Sequence, residues 1–344
     1  MQAVILAAGK STRTYPLTLT RPKPLLKVAN KTILGHSLDN LSGFIDEVIL
    51  VVGYKKEMIK GQFGNKYRNM KLSYIEQKEQ LGTGHAVSIV EPHIKDRFIL
   101  LMGDDIYSEE DIKNCIKYKY SILTAKVKDP KNFGVITQKN GILADFIEKP
   151  KTFVSNLANT AFYCFDKRIF EHINQIKKSE RNEFELPDAI KLLSKNEKIH
   201  CVKAKQWLPI GYPWDLLKAD KILRNNKNFI GKNSKINGKV KNSSIGSNCT
   251  ISGKVKNSII MDSSIIGKNS IIEDSIIGEK VRFSGKILSK KHATSIMNNK
   301  KIKINNFGAV IADNVKAKNV IINSGCKIWP NKKISNKTIS SDLI

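Results

Sequence analysis

The residues that could do chemistry gather near the start of the chain. Gly9-Lys10-Ser11-Thr12-Arg13 sets two cations among small polar residues, and Arg21-Pro22-Lys23-Pro24-Leu25 sets two more on rigid proline punctuation. The backbone N–H groups of a glycine turn face an anion, and fixed cations around it neutralise charge, so the pattern suits a phosphate ester. Such a turn needs an element to deliver it. Gln2 to Ala8, QAVILAA, is the short apolar run of a buried parallel strand, and it runs straight into Gly9.

The elements behind that strand repeat its logic. Residues 1–225 alternate strand-like and helix-like segments. Val48 to Gly53, Leu72 to Glu76 and Phe98 to Gly103 read as strands, while Ile33 to Leu41 and His85 to Val90 have helical spacing. Strand, crossover, strand in repetition predicts a doubly wound α/β sheet with helices on both faces. Ligands in such folds sit at the carboxyl ends of the strands, which is where Gly9, Gly53 and Gly103-Asp104 fall.

From about Asn233 the texture changes. Apolar pairs recur at 259–260, 265–266, 271–272 and 276–277, a step of six residues that shortens to five at the last, and Ile245 to Ile251 is the same step earlier. That period, with frequent Gly, Asn and Ser, is the mark of a parallel β-helix. Residues 287–308 interrupt it as a lysine-rich loop. Val310, Ile322 and Ile328 then fall on the six-step grid, with Lys316 in the slot between the first two. The predicted domains are 1–228 and 229–344.

The composition is that of a globular chain of 344 residues with 41% apolar residues, long enough for two domains. Five cysteines lack CxxC spacing and are odd in number, which argues against a disulfide framework or a zinc site. Met1 leads directly into the first strand, and no apolar run is long enough to cross a membrane, so the expectation is a reduced, cytoplasmic enzyme with no membrane insertion. The net charge of +28 raises nucleic acid as a partner, but lysine supplies 51 of the 59 basic residues and they are spread evenly. Arginine, the better bidentate reader of bases and phosphates, is scarce. A solvated lysine surface that favours anionic small ligands is the reading adopted, without nucleic acid.

Gly9-Lys10-Ser11-Thr12 looks like the end of a Walker A loop, but that loop needs a glycine five positions before Gly9, where Val4 stands. What residues 6–25 resemble, as LAAGKSTRTYPLTLTRPKPL, is the signature LAAGxGTRxxPxTxxxPKPL of sugar-1-phosphate nucleotidylyltransferases, with Ser11 in place of the usual glycine. The serine is tolerable if its backbone keeps a negative φ. The resemblance implies that backbone groups of Leu6, Ala8 and Gly9 meet the nucleotide. Arg13 would hold the β/γ-phosphates and the leaving pyrophosphate, and Lys23 the α-phosphate under attack.

Further motifs follow in the family's order. Gln77 and Gln80-Leu81-Gly82-Thr83-Gly84-His85-Ala86 are similar to the base-reading segment of bacterial N-acetylglucosamine-1-phosphate uridylyltransferases. This implies nucleotide contacts from Gln77, Gly82 and Thr83 and tilts the donor to UTP over dTTP. Asp104 matches the carboxylate that holds Mg²⁺. Phe133-Gly134-Val135 with Phe146-Ile147-Glu148-Lys149-Pro150, and Asn159 within Leu157 to Ala161, resemble the sugar-phosphate site. There Gly134, Glu148 and Asn159 would meet the sugar and Lys149 its phosphate, with Ala161 replacing a usual glycine. Pro209 stands where the family has Asp or Asn as a second metal ligand, and Asp215 reads as a helix cap.

The whole chain looks like archaeal-type bifunctional enzymes that join this domain to a left-handed β-helix N-acetyltransferase. There a histidine serves as base, and here Phe283 occupies its position, with His292 a poor replacement in the irregular loop. The expectation is therefore a Mg²⁺-dependent transferase using a nucleoside triphosphate and a sugar-1-phosphate. Its β-helix would build a homo-oligomer, a trimer or a dimer of trimers. A bifunctional enzyme that also N-acetylates an amino sugar phosphate stays open, as does a catalytically weak regulatory or scaffold subunit that binds NDP-sugar.

Overall fold

The computed structural model describes every residue of the chain except Asn299. Contacts divide it into two compact units. The first is Met1–Gly9 with Leu34–Pro209, and the second is Lys10–Ile33 with Ile210–Ile344. The division is not a single cut in the chain: the segment carrying Arg13 and Lys23 is compact with the C-terminal half.

The first unit is built on a ten-stranded mixed sheet. Its strands include β1 (Gln2–Ala7), β2 (Glu47–Val52), β3 (Met70–Glu76), β4 (Phe98–Met102), β5 (Ser121–Lys126), β6 (Gly134–Lys139), β7 (Ile142–Glu148), β8 (Leu157–Phe165) and β9 (His200–Lys203). β1 runs parallel between β2 and β4, with Gln2 opposite both Glu47 and Phe98, and β3 extends the parallel side. β8 turns the sheet mixed by pairing antiparallel with both β4 and β5. The apolar runs make this order possible, because a strand covered on both faces needs no polar side: Ala3, Val4 and Ile5 are fully buried. Helices α1 (Ile33–Leu41), α2 (Thr83–Ser88) and α3 (Leu186–Ser194) fall between or after the strands.

The C-terminal part of the second unit is a parallel β-helix. One face stacks residues 229–230, 244–245, 259–260, 276–277, 310–311 and 327–328 in register. A second stacks 235–236, 250–251, 265–266, 282–283 and 316–317. The third includes 239–241, 254–256 and 271–273. The corners explain the composition. Asn233, Asn242, Asn248, Asn257, Asn314 and Asn331 all take positive φ there, a conformation asparagine tolerates better than most residues. Ser243, Ser258 and Ser275 are buried, and each hydroxyl accepts an N–H from the next coil at 3.0–3.1 Å.

Three expectations change here. The shortened step is not confined to the last pair: Ile251, Val255 and Ile260, four and five residues apart, are all buried. On the last coils Lys316 is exposed and its neighbour Ala317 fills the interior slot. The lysine-rich loop is instead a β-hairpin, Ala293–Met297 antiparallel to Lys300–Ile304, with buried Ala293, Met297 and Ile304 alternating against exposed lysines.

Candidate active site

β1 delivers its end to a hydrogen-bonded turn. The Leu6 carbonyl accepts the Gly103 N–H at 2.9 Å, and the Ala8 carbonyl accepts Tyr54 N–H at 3.0 Å. Gln80 Nε2 donates to the same Ala8 carbonyl at 2.9 Å, so the 77–86 segment is tied to the strand end at Ala8 and Gly9. Gln77 is buried just past β3, and its Nε2 lies 3.3 Å from the Gly82 carbonyl and 3.2 Å from His85 Nδ1. An amide nitrogen only donates, so His85 Nδ1 accepts and His85 acts as a brace for Gln77. Gly82 caps α2 at φ 103° and ψ 176°, a region essentially closed to other residues. A Cβ there would stand 2.5 Å from the Phe184 carbonyl oxygen. Thr83 Oγ1 accepts the Leu186 N–H at 3.2 Å, which gives that hydroxyl a role at the start of α3.

Asp104 sits half-buried in the turn after β4. Its neighbour Asp105 is held away: its Oδ2 accepts Trp207 Nε1–H at 2.9 Å, and its carbonyl accepts the Ser37 hydroxyl at 3.3 Å. Trp207 also packs edge-on against Phe133, with ring centroids 5.5 Å apart. Pro209, the last residue of the unit, offers no side-chain donor. Among the described residues no group of three or more His, Cys, Asp or Glu side chains is placed to hold a metal by itself. The donor set fits Mg²⁺ held by one carboxylate with substrate phosphate oxygens and water, the manner in which this ion is usually bound beside nucleotides.

The remaining residues form a cluster on β6, β7 and β8. Gly134 pairs with Glu148 across the β6–β7 ladder. A Cβ at Gly134 would stand 2.7 Å from Glu148 Oε2 and 2.6 Å from the buried Phe146 ring, so glycine leaves the carboxylate its place. Glu148 Oε1 lies 3.6 Å from Lys149 Nζ and 3.5 Å from an Arg181 Nη. Burial disfavours the Arg181 charge, but Glu185, Glu148 and Glu183 outweigh it and hold the guanidinium above its ordinary range. Asn159 Nδ2 donates to the Tyr163 hydroxyl at 2.7 Å, and its Oδ1 accepts the Ala161 N–H at 2.9 Å. Ala161 stands at φ 58° where the ladder slips register. The glycine usual at that position would adopt this left-handed turn without strain.

In the second unit, Ser11 departs from its expectation. It takes φ 52° and ψ 55°, not a negative φ, because its turned carbonyl collects hydrogen bonds from Thr14 N–H at 3.1 Å, Thr14 Oγ1 at 2.8 Å and Thr18 Oγ1 at 2.9 Å. Those bonds offset a conformation that costs a non-glycine residue about 1–2 kcal/mol. The exposed Arg13 lies over the Tyr212 ring, 5.8 Å from its centroid, and Tyr212 stacks on Trp214 at 4.8 Å. Lys23 is buried in a one-turn 3₁₀ segment between its two prolines. Asp215 caps the helix α4 (Pro213–Leu223), accepting Gly211 N–H at 3.1 Å and Tyr212 N–H at 2.9 Å.

Of the residues expected in the site, Arg13 and Lys23 therefore belong to the second unit and all the others to the first. Arg181, Trp207 and Tyr212 were not foreseen. The charged run Glu180-Arg181-Asn182-Glu183-Phe184-Glu185 just ahead of the Pro187 helix start was the available signal for the first of them.

Residues 2–226 match the Nucleotidyl transferase family and residues 219–344 the GMPPB C-terminal domain. Over 226 residues the chain is 44% identical to the bifunctional protein GlmU of Methanocaldococcus jannaschii, a match that covers 65% of this chain and 54% of that protein. The match thus spans little more than half the length of this relative and of the GlmU of a Methanococcus maripaludis strain. It is 37% identical to the UTP–glucose-1-phosphate uridylyltransferase AglF of Haloferax volcanii, over 65% of this chain and 97% of that one. Among solved structures, a UDP-glucose pyrophosphorylase complexed with UDP-glucose shares the fold, with TM-score 0.58 and 23% identity over 66% of this chain and 99% of that one. The chain belongs to the nucleotidyl transferase family.

Proposed function

We propose that this chain transfers a nucleotidyl group from UTP, or dTTP, to glucose-1-phosphate or N-acetylglucosamine-1-phosphate, giving an NDP-sugar and pyrophosphate. The observation that carries the reading is the unbroken run LAAGKSTRTYPLTLTRPKPL at residues 6–25, the strand end of which is hydrogen-bonded to the Gln77–His85 segment. We read 1–228 as the transferase domain and 229–344 as the β-helix domain, in a cytoplasmic protein. A trimer or dimer of trimers through the β-helix is part of the same proposal, and sedimentation checks it.

The chemistry asks little covalent work of the protein. A sugar phosphate oxygen, already ionised at neutral pH, attacks the α-phosphorus, the bond to the β-phosphate bridging oxygen breaks, and pyrophosphate carries the electron pair away. Positioning and neutralisation of charge lower the barrier. Lys23 neutralises the α-phosphate, and Arg13 draws charge from the β/γ-phosphates. Leu6, Ala8 and Gly9 present backbone to the nucleotide, and the braced Gln77 and the bare Gly82 backbone read its base. Gly134, Glu148 and Asn159 orient sugar hydroxyls while Lys149 pairs with the sugar phosphate. Bound at Asp104, Mg²⁺ would screen phosphate charge.

Acetyl transfer by the β-helix gets no support from its geometry. Phe283 is only 2% exposed and packs among the coil interior, so that position faces no solvent where a base could act. Pyrophosphate release with Mg²⁺ and a panel of NTPs and sugar-1-phosphates tests the proposal. The expected result is turnover with a uridine or thymidine triphosphate. No turnover with any pair would leave a non-catalytic NDP-sugar-binding subunit as the better account.

A further inference from the structure

Residues 20–30 lie along one corner of the β-helix and meet its coils in turn. Asn30 Nδ2 donates to the Ile245 carbonyl at 2.8 Å. Ala29 N–H donates to Asp220 Oδ1 of α4 at 2.8 Å, and Ser244 Oγ of the same coil donates to that oxygen at 2.5 Å. Lys27 pairs with Asp262. Arg21 pairs with both Glu279 and Asp313, and Thr20 Oγ1 donates to Asp313 Oδ2 at 2.5 Å. Asp262, Glu279 and Asp313 each stand two residues after a strand of the first face, in three consecutive coils. In the flanking coils that place holds Lys232 and Ser247 on one side and Pro330 on the other.

Carboxylates in stacked coils repel at a spacing of about 4.8 Å, so three in succession are a cost unless cations lie beside them. Two of the three also brace the coil before their own. Asp262 Oδ1 accepts Ser247 N–H at 3.0 Å and Asp313 Oδ1 accepts Glu279 N–H at 2.7 Å, which leaves the second oxygen of each aimed at the loop. Arg21 is 8% exposed, and although its burial disfavours the charge, Glu279 and Asp313 more than offset it and hold the guanidinium above its usual range. Between the two pinned cations, Pro22 and Pro24 bracket buried Lys23, with Leu25 N–H on the Pro22 carbonyl at 3.0 Å and Leu26 N–H on the Lys23 carbonyl at 2.9 Å.

We propose that Asp313, Glu279 and Asp262 are positioning residues for nucleotidyl transfer: the β-helix corner is the template on which the Lys23 turn is held. This rests on the function proposed above and gives the β-helix a part in that reaction, in place of an acetyltransferase role. The test compares the full-length chain with Asp313→Asn/Glu279→Gln, with Arg21→Ala and Arg21→Lys, and with Glu273→Gln at another β-helix edge as control. Melting temperature, steady-state kinetics and hydrogen exchange at Tyr15, Leu25 and Leu26 are measured on each.

The expected result is a kcat loss on the order of 10–100-fold for the double variant and for Arg21→Ala. KM for the sugar phosphate should move less than about threefold if positioning and not ground-state binding is lost. Arg21→Lys should recover part of kcat, Glu273→Gln should match the parent, and exchange should speed up in residues 11–26 while amides of residues 250–283 stay protected. Parental kcat with a protected loop overturns the proposal, and so does parental kcat with a deprotected loop. Should the parent turn over no substrate pair, the functional reading fails on its own. Loop exchange then still decides the clamp, unchanged protection in the variants overturning it. If the double variant loses protection in residues 250–283, Arg21→Ala against Arg21→Lys makes the same comparison without altering the coils.

Discussion

Gly82→Ala should damage nucleotide recognition and lower the stability of the fold. The backbone at Gly82, φ 103° and ψ 176°, lies where a side chain costs on the order of 1–3 kcal/mol. The new methyl would also sit 2.5 Å from Phe184 O and 2.8 Å from Phe184 N. Those are backbone atoms, held by Phe184 N–H on the Leu81 carbonyl at 2.7 Å and by Gly84 N–H on the Phe184 carbonyl at 2.8 Å. Neither can swing aside as a flexible side chain would, so overpacking adds about 1–3 kcal/mol. The strain is relieved by moving the 81–84 turn, which carries the carbonyl that Gln77 Nε2 contacts. Denaturant unfolding should show a loss of about 2–6 kcal/mol, and KM for the nucleoside triphosphate should rise about tenfold or more. Gly61→Ala is the matched control. It lies at an exposed position of the helix Lys56–Phe63 with nothing within 4 Å of its Cβ, and should gain about 0.5–1 kcal/mol. A Gly82→Ala protein with parental stability and KM within twofold would refute the reasoning.

Other outcomes follow from the same geometry. Asp104→Ala should cost about 10²–10³-fold in kcat, by analogy with loss of one electrostatic stabiliser, and a loss under about tenfold at saturating Mg²⁺ would disprove its assignment as the metal carboxylate. Arg181→Ala should raise KM for the sugar phosphate by about five- to tenfold, since it removes a cation 3.5 Å from Glu148 and 2.8 Å from Glu185; the nucleotide KM is the internal control. Phe283→Ala should destabilise the β-helix by about 3–5 kcal/mol, read by calorimetry. CoA release from acetyl-CoA should be absent before and after the change, and release by the parent would reinstate the bifunctional reading.

The local features were legible in the residues. Apolar runs with no polar side set β1, β2 and β4, because a strand buried on both faces shows its burial in its own composition. The run at 6–25 pointed to phosphate chemistry for the same reason: its glycine, cations and prolines are all within one short stretch. The β-helix also declared itself, since each coil buries its aliphatic residues at a short, countable step.

What the tertiary structure decided depends on partners far away in sequence. Nothing near Ser11 announces that Thr14 and Thr18 will make its positive φ tolerable. Lys316 falls on the six-residue grid, yet only the stacked coils show that Ala317, one residue off it, fills the interior. Arg181 reaches Glu148 because helix α3 returns to the β7 strand, not because of spacing. Above all, Arg21 finds Glu279 and Asp313 across 258 and 292 positions. Hydrophobic period is a property of neighbours along the chain, whereas an ion pair between distant segments is fixed only once the coils have stacked and brought three corner carboxylates into line.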